Sequence, residues 1–291
     1  MFAGWDEYHL INSELSRLVA CLPKSDLGEV ISYVLTTPGK RVRPLILILT
    51  TEAFGGDALF AANAALAVEL VHAASLVHDD ILDCGMKRRG SPSTLEMYGS
   101  DAALLAGDYL ISKSIELISS YSPSVITAFA KACMSMSEGE MLDLSSASCD
   151  AEYYSCISRK TASLFAASAG IGGLIACAPE EEVARLERYG MHLGLAYQIL
   201  DDLEEHLGID QGKASDKASV TLPKIYSRKH TTETAVRLCI KAIHDRCREA
   251  KLAIIESSGD TKMKEMLVDL IDQMTIQGLE RCRLQRNLCL G

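Results

Sequence analysis

Proline is scarce in this chain, with seven among 291 residues. Pro23, Pro38, Pro44, Pro92, Pro123, Pro179 and Pro223 each stand at or near a point where a helical pattern stops or restarts, so the intervals between them are free to be helix. Alternating strand patterns are equally scarce. Apolar spacings of three and four recur instead, as in Leu15, Leu18 and Leu22, or Met266, Leu267, Leu270, Ile271 and Met274. No Pro-rich or Ser-rich linker and no low-complexity segment divides the chain. These absences predict one all-α domain over residues 1–291 with about ten or more helices and no sheet.

Positive charge is also in deficit: the formal net charge is -10 and the pI about 5.2, which disfavours a broad electrostatic footprint on nucleic acid or anionic lipid. Ten cysteines are present without a Cys-x-x-Cys spacing, so they read as reduced cytosolic thiols. The N-terminus lacks a basic segment followed by an apolar one, and no signal peptide is expected. The most apolar run, Leu59 to Val77, is broken by Asn63, Glu69 and His72, which suits a buried core helix better than a membrane span. A cytoplasmic protein without a transmembrane segment follows. With 48% hydrophobic residues it can bury a sizeable core.

Local turn and cap signals agree with that outline. The run Leu45 to Leu49 is predicted to join a helix after Pro44. Pro179, followed by Glu180, Glu181 and Glu182, predicts a helix with proline in its first turn and acids at the positive end of the dipole.

Two acidic motifs stand out. Asp79-Asp80-Ile81-Leu82-Asp83 ends the apolar run, and helical spacing puts Asp79 and Asp83 on one face while Asp80 turns about 100° away. Asp201-Asp202-Leu203-Glu204-Glu205 repeats the arrangement, with Asp201 and Glu205 sharing a face. One such motif is equally well a solvated helix end. Two of them, each following an apolar helix, would place several carboxylates at the mouth of one cavity, where they repel unless cations bind between them. Mg²⁺ takes one or two carboxylates and completes its shell with water and phosphate oxygens.

Basic residues are gathered where an anion would need them. Gly39-Lys40-Arg41-Val42-Arg43-Pro44 packs three cations into a turn near a helix start, and Met86-Lys87-Arg88-Arg89-Gly90 follows the first acidic motif. Lysine offers a point charge and arginine a two-pronged one, both suited to diphosphate. The first cluster alone reads more often as a solvated surface loop, the second either as salt bridges or as an anion site, and Arg159-Lys160-Thr161 alone as plain surface. His72 lies about two turns before Asp79 on nearly the same face, so it would line the same cavity.

Taken together, these residues resemble the trans-isoprenyl diphosphate synthase, or polyprenyl synthetase, family. From about residue 37 to residue 226, GKRVRP, ELVHAASLVHDDILD with its trailing RRG, LLAGDYL, RKTASL and YQILDD come in the family's order. The resemblance implies an isoprenoid-synthase-like helical bundle around a deep central cavity, a homodimer, and three Mg²⁺ ions per site. It further implies that isopentenyl diphosphate is joined to an allylic diphosphate. By the same resemblance Asp79, Asp83 and Asp201 carry the metals, with Glu205 completing the second motif. Gly39, Lys40, Arg43, His72 and Arg89 bind isopentenyl diphosphate, while Arg88, Lys160 and Lys213 or Lys217 hold the allylic diphosphate. Thr161 and Gln198 lie beside the developing carbocation. Pro38, Glu140 and Glu205 depart from the usual pattern without removing a charge the chemistry needs. The segment GKASDKASVTLP is about two residues short, which leaves Lys213 and Lys217 undecided.

The growing product would run from the first motif down its own helix past Ser75, Ala74 and Val71. Residue 74 lies about 7.5 Å below the motif, where an aromatic would stop elongation. Small residues there resemble the medium- and long-chain synthases and favour a product beyond geranylgeranyl, with farnesyl and geranylgeranyl diphosphate as alternatives. A non-catalytic partner subunit would be expected to have lost metal ligands. A terpene cyclase would not need GKRVRP, His72 and Arg89, and the Glu-x-x-His pairs of a redox di-metal bundle are missing.

Overall fold

The computed structural model describes residues 2–88, 90–145, 149–209 and 220–289, with side chains to residue 282. Thirteen α-helices occur among them. In chain order they are α1 (Asp6–Ala20), α2 (Asp26–Thr36), α3 (Val42–Ala53), α4 (Ala58–Leu82), α5 (Thr94–Tyr98), α6 (Ser100–Ile118), α7 (Pro123–Leu144) and α8 (Asp150–Ile157). A π-helical turn, Ser158–Ala162, joins α8 to α9 (Ser163–Ile175), and α10 (Glu180–His206), α11 (Leu222–Ser227), α12 (Thr232–Ile255) and α13 (Thr261–Cys289) complete the bundle.

The helix starts follow ordinary capping chemistry. Ser25 accepts from the Gly28 N–H at 3.2 Å and Asp57 from the Leu59 N–H at 2.9 Å, satisfying donors at the heads of α2 and α4. Two expected boundaries move slightly. Helix α3 begins at Val42, two residues before Pro44, because a proline in the first turn gives up no intrahelical hydrogen bond. Pro179 is the extended residue just outside α10, and Glu180, Glu181 and Glu182 form its first turn.

The expectation of no sheet is corrected by a minimal antiparallel ribbon in which Lys87–Arg88 (β1) pairs with Ser91–Pro92 (β2). Gly90, at φ 82°, sits in its turn, a conformation that L side chains resist. The ribbon is too short to show as alternation.

Helix α3 is central: Leu45, Ile46, Leu47, Ile48 and Leu49 are all fully buried. Around it one large apolar cluster joins α1, α4, α7, α9, α10, α12 and α13, and a smaller cluster joins α1, α2, α4 and α6. Helix α4 is long and apolar enough to cross a membrane, but 67% of its apolar window is buried inside the protein, packed along α6 and α3. Helices α9 and α10 approach very closely. A Cβ at Gly190 would lie 2.3 Å from the Phe165 carbonyl oxygen, so only glycine permits the contact. That contact brings the N-terminal end of α9 against the middle of α10, about three turns before the second acidic motif.

Candidate active site

Helix α4 delivers the first acidic motif at its C-terminal end, and the helical offset gives its aspartates different tasks. Asp80 turns inward, is 4% exposed, and accepts from Arg88 Nε and Nη2 at 2.9 and 2.8 Å. This two-pronged bond ties the ribbon to α4 and fixes the arginine expected to hold the allylic diphosphate. Asp79 points toward α7 instead. Burial pushes its carboxyl up to about 7 against the pull of Lys160 and Arg88, and Glu140 adds to the rise through its charge and a hydrogen bond. Asp83 closes the helix as its C-terminal cap.

Lys160 binds Glu140 Oε2 at 2.6 Å and Asp143 Oδ2 at 2.7 Å. Burial alone would lower its pKa; Asp79, Asp143 and Glu140 overcome that and hold the ammonium charged. The π turn presents this lysine and Thr161, and it lies directly against α7: a Cβ at Gly139 would fall 2.1 Å from the Lys160 backbone nitrogen.

In the second motif Asp202 is the inward residue, 7% exposed. Its Oδ2 accepts from the Tyr153 hydroxyl at 2.5 Å and its Oδ1 from Gln198 Nε2 at 2.8 Å. Gln198 Oε1 in turn accepts from the Thr161 hydroxyl at 2.7 Å. Burial and then the Asp202 charge push the Tyr153 phenol well above its ordinary range, so it keeps its proton and donates. Asp201 is half-buried and Glu205 exposed. The Arg88 guanidinium lies in the field of Asp80, Asp79 and Asp201 together, so both acidic helix ends come near it.

The basic turn closes the other side. Arg43 donates from Nη1 to His72 Nε2 at 3.0 Å, which leaves the imidazole proton on Nδ1, and its guanidinium lies 4.3 Å from the Phe165 ring centroid. Lys40 reaches over the Tyr197 ring at 5.6 Å, one residue before Gln198, while Gly39 precedes it in the turn. Arg41 departs from the expected cluster of three cations. In the left-handed conformation (φ 51°) it turns inward to pair with the buried Glu69 and donates to the Leu35 and Thr37 carbonyls at 3.0 and 3.2 Å. It holds the turn, leaving Lys40 over Tyr197 and Arg43 against His72 and Phe165.

Of the other expected residues, Val71 and Ala74 are buried along α4, and Ser75 donates to the His72 carbonyl at 2.8 Å. Arg89, Lys213 and Lys217 lie outside the described residues. Sequence reasoning missed Tyr153, Asp143 and the Arg41–Glu69 pair, and it noted Glu140 only as a departure. Glu69 did carry a signal, being an acid inside an otherwise apolar helix.

Among the described residues no three His, Cys, Asp or Glu side chains cage a metal by themselves. Even so, the donors fit Mg²⁺. The Asp79 and Glu140 carboxyls lie side by side as hard oxygen donors, and each acidic motif can supply the one or two carboxylates that ion takes.

Comparison with known proteins agrees with this geometry. The polyprenyl synthetase family profile matches residues 24–257. A geranylfarnesyl diphosphate synthase of Methanosarcina mazei is 41% identical over 279 residues, covering 95% of this chain and 94% of that one. The crystal structure of a geranyltranstransferase from Methanosarcina mazei superposes with a TM-score of 0.83 at 39% identity, covering 94% of this chain and 98% of that one. A polyprenyl synthase from Caulobacter crescentus, complexed with calcium and isoprenyl diphosphate, gives a TM-score of 0.82 at 26% identity, covering 92% and 94%. Both the match over most of the chain and the all-helical likeness lead to one assignment: this chain belongs to the polyprenyl synthetase family.

Proposed function

We propose that the chain is a trans-prenyltransferase that condenses isopentenyl diphosphate with an allylic diphosphate to give a longer all-trans polyprenyl diphosphate. The observation that carries this reading is the convergence of both acidic helix ends on Arg88, with Lys160 held charged beside Asp79. Arg88 and Lys160 hold the allylic diphosphate, joined by Lys213 or Lys217. Lys40, Arg43, His72 and Arg89, with the backbone at Gly39, hold isopentenyl diphosphate. Three Mg²⁺ ions at Asp79, Asp83, Asp201 and Glu205 would neutralise the departing diphosphate when bound. Thr161 and Gln198 present oxygen dipoles to the allylic carbocation, and the apolar walls exclude water that would quench it. The double bond of isopentenyl diphosphate attacks that carbon, and the released pyrophosphate takes the proton.

The product extends beyond geranylgeranyl. Support comes from the small residues Ala74 and Ser75 below the first motif, and from the geranylfarnesyl synthase relative, whose product carries one more isoprene unit. A homodimer is supported by the apolar side chains left exposed on α6 and α7, and a reducing cytoplasmic setting by nine described cysteines, all free thiols. Purified chain incubated with labelled isopentenyl diphosphate, each allylic primer and Mg²⁺ should give an extended prenyl diphosphate, and none with chelator present. No condensation by the chain alone, with both substrates bound, would favour a non-catalytic partner subunit.

A further inference from the structure

The side chains around the second motif form one directed chain of hydrogen bonds, and its direction fixes where the Thr161 lone pairs point. A carboxylate only accepts, so Asp202 must receive a hydrogen from each neighbour: the Tyr153 hydroxyl at 2.5 Å and the Gln198 amide nitrogen at 2.8 Å. With its NH₂ committed to Asp202, Gln198 has only its carbonyl oxygen left for Thr161. Thr161 therefore donates to it at 2.7 Å, and its oxygen lone pairs are free on the other side. Reversing the amide reverses this outcome. Gln198 would then donate to Thr161, and the hydroxyl proton would be free to swing toward the cavity, presenting the positive end of the O–H dipole to a carbocation.

We infer that Tyr153 is a positioning residue: by clamping Asp202 it sets the orientation of the Gln198 amide and so keeps the Thr161 oxygen, not its proton, turned toward the reacting carbon. The inference rests on the reading that Thr161 faces the allylic cation. Tyr153 is suited to the part. It is 3% exposed, it lies on α8 where its ring packs edge-on against Tyr154 at 5.6 Å, and it reaches across to α10. Without its hydroxyl, Asp202 Oδ2 loses a buried donor, and the acceptor that holds the Gln198 NH₂ is less firmly fixed. A positioning residue of this kind acts on the transition state and leaves diphosphate binding alone.

The test compares Tyr153→Phe with Thr161→Val. Each variant is assayed for turnover, for KM with both diphosphates, and for binding of a prenyl ammonium ion with inorganic pyrophosphate and Mg²⁺, a stable cation that mimics the charge of the intermediate. Tyr153→Phe is expected to lower kcat about tenfold and to weaken ammonium binding by a similar factor, with both KM values within about twofold of wild type. The double variant should be little worse than Thr161→Val alone, because the two act through one oxygen. If Thr161→Val loses ammonium affinity and Tyr153→Phe does not, the positioning role is overturned while the facing of Thr161 stands. If neither loses it, the facing itself fails and the inference with it. A uniform weakening of diphosphates and ammonium by Tyr153→Phe would mark general packing damage and also overturn the role. Should Tyr153→Phe not fold, Asp202→Asn makes the same comparison, since an amide there can donate to Gln198 and turn it over.

Discussion

Buried carboxyl groups set two testable properties of single residues. At the α1–α3 contact, away from the active site, Glu7 and Glu52 each have a buried oxygen without a hydrogen-bond partner. Burial, then the charge of Glu7, pushes the Glu52 carboxyl up to about 7, with Lys262 pulling the other way and Asp57 adding slightly. The folded state therefore binds a proton that the unfolded chain has released, and this group costs stability as pH rises from 4.5 to about 7, then no more above it. Because Glu52 is only half-buried, the effect is discounted to about 1 kcal/mol. Glu52→Gln should raise Tm by roughly 2–4 °C at pH 8, and by less at pH 5, in thermal melts at both values. In the active site the same physics serves chemistry. Asp79→Ala should lower kcat by on the order of a hundredfold or more and move the Mg²⁺ titration to higher concentration; turnover near wild type would remove Asp79 from the metal-binding set.

At the scale of elements, function depends on where two helices end and how closely a third approaches. The 100° step of the helix divides each acidic motif into outward residues for ligand and an inward one for scaffold, Asp80 gripping Arg88 and Asp202 gripping Tyr153 and Gln198. Spacing alone revealed the outward pairs and the offset of Asp80. It could not reveal what the inward residues hold, because Arg88 arrives on a two-residue ribbon and Tyr153 from a separate helix, contacts that no local periodicity encodes. The π turn was equally hidden, since a single extra residue leaves apolar spacing almost unchanged. Gly139 permits that turn to lie against α7, so Gly139→Ala should displace the Lys160 backbone, cost about 1–3 kcal/mol in denaturant melts and reduce turnover, with Ser137→Ala, exposed two residues away on the opposite side of α7, as a neutral control. Helix α4 carries the length determinant. Ala74 sits in the smaller cluster beside Leu70, Ala106 and Leu110, so Ala74→Phe should cost some stability by overpacking and shorten the product while condensation continues. Unchanged product length on sizing would reject the path down α4.

For the whole molecule, the distribution of apolar surface argues for two copies. Helix α6 turns Ala103, Ala106, Gly107 and Leu110 toward α4, and the two alanines and the glycine let the helices lie close: a Cβ at Gly107 would strike the His78 ring at 2.1 Å. Its other side exposes apolar side chains too, set among polar ones such as Asp108 and Glu116. Leu104, Leu105 and Ile115 are each about half exposed, and Met134 and Met141 on the neighbouring α7 are 59% and 65% exposed. Apolar side chains exposed in this number are costly in water, and a two-fold axis across α6 and α7 would bury them against their own copy. Both faces of α6 would then be structural, with α4 and its acidic end held from behind. Leu105→Glu places a charge among those exposed apolar side chains, where burial against a second copy would leave it unpaired. Light scattering should report a dimer for the wild-type chain and a monomer, or a dimer weakened by at least tenfold, for the variant, with helicity by circular dichroism unchanged. A wild-type chain that scatters as a monomer at working concentration would show that this face is covered by something other than a second copy.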